Sequence, residues 1–324
     1  MSMVEKWRWA VAAALAACSP VAAEADDPLG YHVIPGSFVP GRGPDGNSVF
    51  LDAPEGLILV DTGRHPAHQE KLLGFAKAKG RPIVAIVNTH WHLDHNGGNA
   101  EIRAAYPNAK LYASAAVEGA LKGFFPKSRA AAQAYLESGQ ASAEREVEIR
   151  RDFAAMDDPH SLRATDIVSR SGTMTIAGRR LAVNLAPYAA TESDIWIFDE
   201  ASGLAVVGDL VVGLVPFMDT ACPEGWRKAL DAIAARPFAT LLPGHGDPMT
   251  KSDFLAWRGA FGNLLDCAAS DRGRDACIAG WKRDAGRFIA ADEQSRVAAM
   301  VGYYLDSRLR ASPEERLRYC RPLV

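Results

Sequence analysis

The 324-residue chain has no C-x-x-C pair, which argues against a zinc ribbon. It has no marked excess of either charge: 36 lysines and arginines stand against 39 aspartates and glutamates, for a formal net charge of −3. That balance leaves no electrostatic footprint for nucleic acid. Beyond the N-terminus, no stretch is long and apolar enough to span a bilayer. Cysteine is scarce, five in all. What is present is ordinary for a globular protein, with 48% hydrophobic and 23% charged residues. The length suits one large domain, or one domain with an appendage.

The N-terminus reads as a targeting segment. Lys6 and Arg8 supply a positive start, and Trp9 to Ala17 is an apolar run too short for a spanning helix. Residues 1–25 are therefore expected to be a secretory signal, which places the protein in the periplasm or outside the cell. Two processing sites compete. Leu15-Ala16-Ala17-Cys18 resembles a bacterial lipobox, which would put a lipid anchor on Cys18. Ala23-Glu24-Ala25 suits ordinary cleavage before Asp26. Either outcome leaves Cys222, Cys267, Cys277 and Cys320. In an oxidising compartment an even count allows two disulfides in three pairings. Cys267 with Cys277 is the local choice and leaves Cys222 with Cys320; four free buried thiols are the alternative.

The chemistry concentrates in Thr89-His90-Trp91-His92-Leu93-Asp94-His95-Asn96-Gly97-Gly98. Just upstream, Pro82 to Val87, closed by Asn88, is short, apolar and β-branched, as a buried strand should be. His90, His92, Asp94 and His95 therefore sit where a strand gives way to a loop, and neighbouring side chains there can converge on one point. Imidazole nitrogen and carboxylate oxygen are zinc-type ligands. Ordinary loop polarity is the competing explanation, but it does not require such density.

The rest of the chain alternates strands and helices. Ser48–Asp52 and Leu57–Val60 read as a hairpin, His68–Lys79 as a helix, and Lys110–Ala113 as a strand. From Ile167 the strand pattern returns with Met174–Ile176, Leu181–Val183, Ile195–Asp199 and Leu204–Val207. Helix Trp226–Ala235 then precedes a strand, Ala239–Leu242, that delivers His245. Two similar halves of this kind predict an α/β fold, an αββα four-layer sandwich. The domain is expected over residues 26–250, with a helical C-terminal extension over 251–324 covering one flank. Gly119–Arg151 reads as Ala-rich amphipathic helix, either a cover for substrate or a pair packed on the flank. His65 and His68 are expected to be solvated, and His32 structural or exposed. Asp157, Asp158 and His160 are expected in a solvated turn.

The H-x-H-x-D-H spacing resembles the metallo-β-lactamase superfamily, and the likeness runs from about Tyr31 to Pro248. Val60-Asp61-Thr62-Gly63, Gly208-Asp209 and Gly244-His245-Gly246 match further stations in order. The resemblance implies zinc as cofactor, held by His90, His92, Asp94, His95, Asp209 and His245. It gives Asp209 the bridging role, and Asp61 is read as a supporting carboxylate behind the ligands. One station departs. In Ala189-Ala190-Thr191-Glu192-Ser193-Asp194, Thr191 and Asp194 fit the family's H-T-x-x-D stretch, so Ala190 occupies a histidine place. One zinc is thus fully supplied by Asp94, His95, His245 and Asp209, and a second should bind more weakly. Pro187 to Asp199, followed by Gly-Asp-Leu and a Trp-bearing helix, is also similar to a periplasmic branch of metallohydrolases associated with quinoprotein oxidation systems.

A bound divalent ion brings the pKa of its water near neutral and polarises a nearby carbonyl. The implied reaction is hydrolysis of an ester, thioester, lactone or amide, with Asp94 orienting the attacking group as well as binding metal. The alternatives are a non-catalytic or accessory metal-binding protein of a periplasmic oxidation system, which the alanine favours, and a true β-lactamase, which export favours. A small-molecule substrate is expected, but no residue outside the metal ring names it.

Overall fold

The computed structural model describes residues 30–38, 43–289, 291 and 293–321. Cys18 and the expected signal segment lie outside the described residues.

Two six-stranded sheets form the centre. The first runs in the order β1 (Tyr31–Ile34), β2 (Ser48–Ala53), β3 (Gly56–Val60), β4 (Ile83–Val87), β5 (Lys110–Ala113) and β6 (Asp166–Ile167). β1 to β3 pair antiparallel, and β3 to β6 pair parallel. The second contains β7 (Gly172–Ile176), β8 (Arg179–Pro187), β9 (Ser193–Asp199), β10 (Leu204–Val212), β11 (Thr240–His245) and β12 (Met249–Thr250), with β12 and β7 at its edges.

Strand periodicity divides these residues between two cores. Val49, Leu51, Ile58 and Val60 point inward and meet Val183, Ile195, Ile197 and Val206 from the other sheet. Phe50, Leu57 and Leu59 point outward and meet Leu72 and Ala76 of helix Pro66–Lys79 and Ile102 of helix Asn99–Ala105. Both faces are covered, so β3 and β10 are buried along their whole length; β3 reads as an unbroken apolar run, and β10 is apolar except at Gly208 and Asp209. The layer order is helix, sheet, sheet, helix. The buried Arg179–Asp199 pair, at 2.6 Å, ties the sheets together, because Arg179 also donates to the Asp52 carbonyl on β2.

The outer layer on the second sheet departs from a simple flank appendage. Helices Lys251–Ala268, Arg274–Ala285 and Gln294–Tyr304 share one core with helix Pro223–Ala234 and with β9 and β10. Trp257, Trp281, Phe254 and Phe261 fill it. The indoles of Trp226 and Trp257 donate to the carbonyls of Leu210 and Val212 on β10, each at 2.9 Å. Two disulfides secure this layer, Cys222–Cys320 across 98 positions and Cys267–Cys277 across 10. They point to an oxidising environment. None of the described helices is long and apolar enough to cross a membrane.

Candidate metal centre

β4 ends at Val87, and the loop that follows carries His90 and His92 before a single helical turn, Leu93–Asn96, presents Asp94 and His95. Asp209 lies on β10 and His245 ends β11. These strands are parallel neighbours with Val212 opposite His245, so both side chains emerge at the same sheet end. The Ile195 amide donates to the Thr89 carbonyl at 2.6 Å and joins the two sheets at that edge. Close approach demands glycine at two points. A Cβ on Gly46 would fall 2.3 Å from the His95 ring, and one on Gly208 would fall 2.5 Å from Thr89 Oγ1.

All six expected ligands converge. Asp94, His95, Asp209 and His245 form one group, and His90, His92 and Asp209 a second, each with donor atoms within 4.8 Å of one another. Asp209 belongs to both. Its Oδ1 lies 3.1 Å from His95 Nε2 and 3.5 Å from His245 Nε2, and its Oδ2 lies 3.7 Å from His90 Nε2. Asp94 Oδ2 is 3.2 Å from His245 Nε2. Asp94 is the most open of the six, while His90 and His95 are sealed from solvent. His90 Nε2 and Asp209 Oδ1 are buried with no well-aligned hydrogen bond among the described residues. Buried polar atoms of this kind are costly without a partner, and a divalent cation fits the donor set they belong to.

Behind the donors, a layer of hydrogen bonds fixes each ring. Asp61 ends β3 with a left-handed backbone, φ 60°. Its carboxylate accepts from the Thr89 amide at 2.8 Å, from the Thr89 hydroxyl at 2.7 Å, and from His95 Nδ1 at 2.8 Å. The Thr89 hydroxyl has spent its hydrogen on Asp61, so its oxygen accepts from His90 Nδ1–H at 3.0 Å. Thr220 repeats the device. Its hydroxyl donates to the Ala190 carbonyl at 2.9 Å, so its oxygen accepts from His92 Nε2–H at 3.0 Å. These bonds leave His90 Nε2, His92 Nδ1 and His95 Nε2 with free lone pairs, the state a metal ligand needs.

For His90 and His92 the electrostatics agree with that protonation. Burial, aided by His95 and His92, holds His90 well below the usual imidazole value. Burial likewise lowers His92 to about 4. Burial also opposes charge on His95, but Asp209, Asp94 and Asp61 outweigh it and raise that histidine well above its ordinary value. Burial would raise Asp94 and Asp209, yet the neighbouring His95 and His245 pull both below the usual carboxylate range.

Ala190 is buried beside the ring and brings no donor. The space it leaves is closed by Thr220, which is fully buried between the Ala190 backbone and His92. Tyr188 sits instead on the tight turn before it, with a left-handed φ of 50° and its amide bonded to the Glu192 carbonyl. Thr220 and Thr89 are the functional side chains that the sequence reading missed. Thr89 directly precedes His90, a usable signal; Thr220 has none.

The expectation for His65 and His68 needs correction. His65 and His68 are buried, not solvated, because the start of helix Pro66–Lys79 packs against Asp45 and Ser48. His65 Nδ1 is 2.9 Å from Asp45 and its Nε2 is 3.3 Å from Glu148, while His68 Nε2 is 2.8 Å from the Ser48 hydroxyl. His32 is half-buried beside Asp52, at 3.4 Å. Asp157 and Asp158 are exposed at a helix end, with Asp157 paired to Arg129 at 2.9 Å. His160 lies in helix Pro159–Leu162, and its side chain is outside the described residues. The Gly119–Arg151 segment covers the site: Phe124, Phe125 and Ile149 line the cavity beside the ring.

An αββα sandwich with a histidine and aspartate ring at one sheet end defines a class of metallohydrolase-like proteins. The profile described as the metallo-beta-lactamase superfamily matches residues 41–245, and the chain belongs to that superfamily, whose members are metal-dependent hydrolases. It is 27% identical over 227 residues to a linear primary-alkylsulfatase of a Pseudomonas species, covering 62% of this chain and 41% of that protein. It is 43% identical over 80 residues to a hydroxyacylglutathione hydrolase of Gloeobacter violaceus, covering 24% of this chain and 30% of that one. In both cases the match spans less than half of the relative. A metallo-beta-lactamase from Pontibacter korlensis shares the fold, with a TM-score of 0.52 and 17% identity over 74% of this chain and 98% of that one.

Proposed function

We propose that the chain is an exported, zinc-dependent hydrolase of an ester, thioester, lactone or amide. The observation that carries this reading is the set of Asp94, His95, Asp209 and His245, whose donor atoms lie close enough to share one ion. Those residues would hold the first zinc, and His90, His92 and Asp209 a weaker second. A divalent metal there would supply water activated near neutral pH and would polarise the scissile carbonyl. The chain's own residues do the positioning. Asp94, the most open of the ring, binds metal and orients the attacking water by accepting its hydrogen. Asp61, Thr89 and Thr220 hold His95, His90 and His92 in the ligating tautomer. Export is supported by the signal-like N-terminus and by the two disulfides. The mature chain begins at Asp26, or at Cys18 if it is lipid-anchored, and the helices from residue 251 onward extend the hydrolase domain.

The alanine at 190 favours a second reading, a metal-binding accessory protein of a periplasmic oxidation system without turnover of its own. One experiment separates the two. Zinc-loaded protein is assayed against an ester, a lactone, an alkyl sulfate, a hydroxyacylglutathione thioester and a β-lactam. Hydrolysis of an ester, lactone or thioester, abolished by Asp94→Ala, supports the first. Stoichiometric zinc with no turnover on any of them supports the second, and turnover of the β-lactam alone would make the chain a β-lactamase.

A further inference from the structure

The ring opens into a cavity of about 470 Å³. Four separate segments contribute much of its apolar wall. Helix Phe124–Glu137 contributes Phe124 and Phe125, and helix Ala143–Asp157 contributes Phe153 and Met156. The loop after β10 adds Phe217, and Met300 comes from helix Gln294–Tyr304 of the C-terminal layer. Phe217 packs edge-on to His92 at 5.2 Å between ring centres, and Phe124 stands 5.1 Å from the Trp91 ring. Apolar surface therefore begins at the metal ligands themselves.

Among the described residues the wall also contains three arginines, and each is already answered. Arg64 Nε donates to Asp152 at 2.9 Å. Arg145 meets Glu148 at 3.3 Å, and Arg296 meets Glu293 at 3.1 Å. A second anion brought to any of these guanidiniums would have to displace or sit beside a carboxylate. The indole of Trp91 is spent on Glu192 at 2.8 Å. Among the described residues outside the ring, the other polar side chain in the wall is Ser128. A pocket of this size, apolar and charge-neutral, recognises surface area, not a charged headgroup.

We infer that this cavity takes an uncharged acyl or alkyl chain of medium length, attached directly to the bond the ring would cleave. The inference rests on the hydrolase reading for the cleavage and on the cavity alone for the chain. Burial of each methylene in such a pocket should raise kcat/KM about fourfold until the chain fills it. A chain of equal length that ends in a carboxylate should lose most of that gain, since its charge has no partner there.

The test uses zinc-loaded full-length protein and p-nitrophenyl acetate, butyrate, hexanoate and octanoate, all kept below their micelle thresholds, with the octanoate analogue ending in a carboxylate as the charged control. The expected result is a stepwise rise of about fourfold per methylene, with the charged analogue at least tenfold below octanoate. Phe124→Ala and Phe217→Ala should each lower the ratio of octanoate to acetate turnover by about tenfold. A flat series, or preference for the charged analogue, overturns the inference. Calorimetry with decanoate, acetate and the ten-carbon dicarboxylate sebacate tests the pocket independently of turnover. Decanoate bound at least tenfold more tightly than both, with no ester, thioester, lactone or amide cleaved, would sink the hydrolase reading and keep the pocket. Equal binding of all three would sink the pocket.

Discussion

Thr220 Oγ1 lies 3.0 Å from His92 Nε2 and 2.9 Å from the Ala190 carbonyl, so one hydroxyl links a metal-ring histidine to the backbone where a fifth ring histidine would stand. Removing that hydroxyl frees the His92 ring to flip or to protonate the wrong nitrogen. Thr220→Val keeps the shape and should weaken zinc at the His90 and His92 position by about tenfold or more. Thr220→Ser should retain it. Competition with a chromophoric chelator reads both, and an unchanged second affinity in the valine variant would remove Thr220 from the design.

The two donor groups differ in number, and the metal should feel it. His95→Ala strips a donor from the four-membered set, whereas His90→Ala touches the three-membered one. Zinc per chain after dialysis should fall further in His95→Ala. Equal losses would mean that the ring holds a single ion shared by all six residues.

Ala190→His should raise bound zinc from near one toward two per chain, by restoring a third imidazole beside His90 and His92. Because Ala190 is buried against Thr220, the new ring must displace that hydroxyl, and a loss of about 1–3 kcal/mol of stability should accompany the gain. Elemental analysis and urea unfolding measure the two effects. Two tightly held zincs in the unaltered protein would show that His90, His92 and Asp209 need no help.

Cys222 follows Thr220 by two residues and is tied to Cys320 across 98 positions. Closing so long a loop restrains the unfolded chain, so the Cys222→Ser/Cys320→Ser double variant should lose about 4 kcal/mol. The loss should exceed that of Cys267→Ser/Cys277→Ser, whose loop is 10 positions. Denaturant midpoints under non-reducing conditions give the comparison, and a reversed order would refute the loop-length argument here.

Asp194 is buried under the ring, and burial pushes its pKa up to about 7 against the opposing bonds from the Thr191 amide and hydroxyl. A raised folded pKa means that the native state holds this proton more tightly than the unfolded chain does. Its contribution to stability is therefore complete below the ordinary carboxylate value of 3.8 and is lost as pH rises through about 7. Asp194→Asn should flatten the decline in stability between about pH 4 and 8. A decline of the same slope in both proteins would place its origin elsewhere.

Much of this was legible before folding. The apolar runs at Leu57–Val60 and Pro82–Val87 became β3 and β4, because strands covered on both faces carry no polar interruption, and Lys110–Ala113 became β5, buried after its exposed first residue. His65 and His68 misled for a local reason: the Arg-His-Pro-Ala-His stretch looks like polar helix entry, and only the tertiary contacts with Asp45 and Ser48 show that both rings are enclosed. The tail after Thr250 looked peripheral because its helices have no chemical motif, yet Met300 reaches the cavity.

The sequence by itself determined the ring, since histidine and aspartate at H-x-H-x-D-H spacing on a strand end have few uses other than holding metal, and the residue types announce the chemistry. Tertiary structure alone decided what surrounds it. Thr220 acts on a histidine 128 positions away, and Arg64 finds Asp152 across 88. A threonine or an arginine is common anywhere in a chain, and nothing in its neighbours records which distant group it will meet. Packing makes that choice, and through it fixes the tautomer of His92, the neutrality of the pocket wall, and the closing of the space at Ala190.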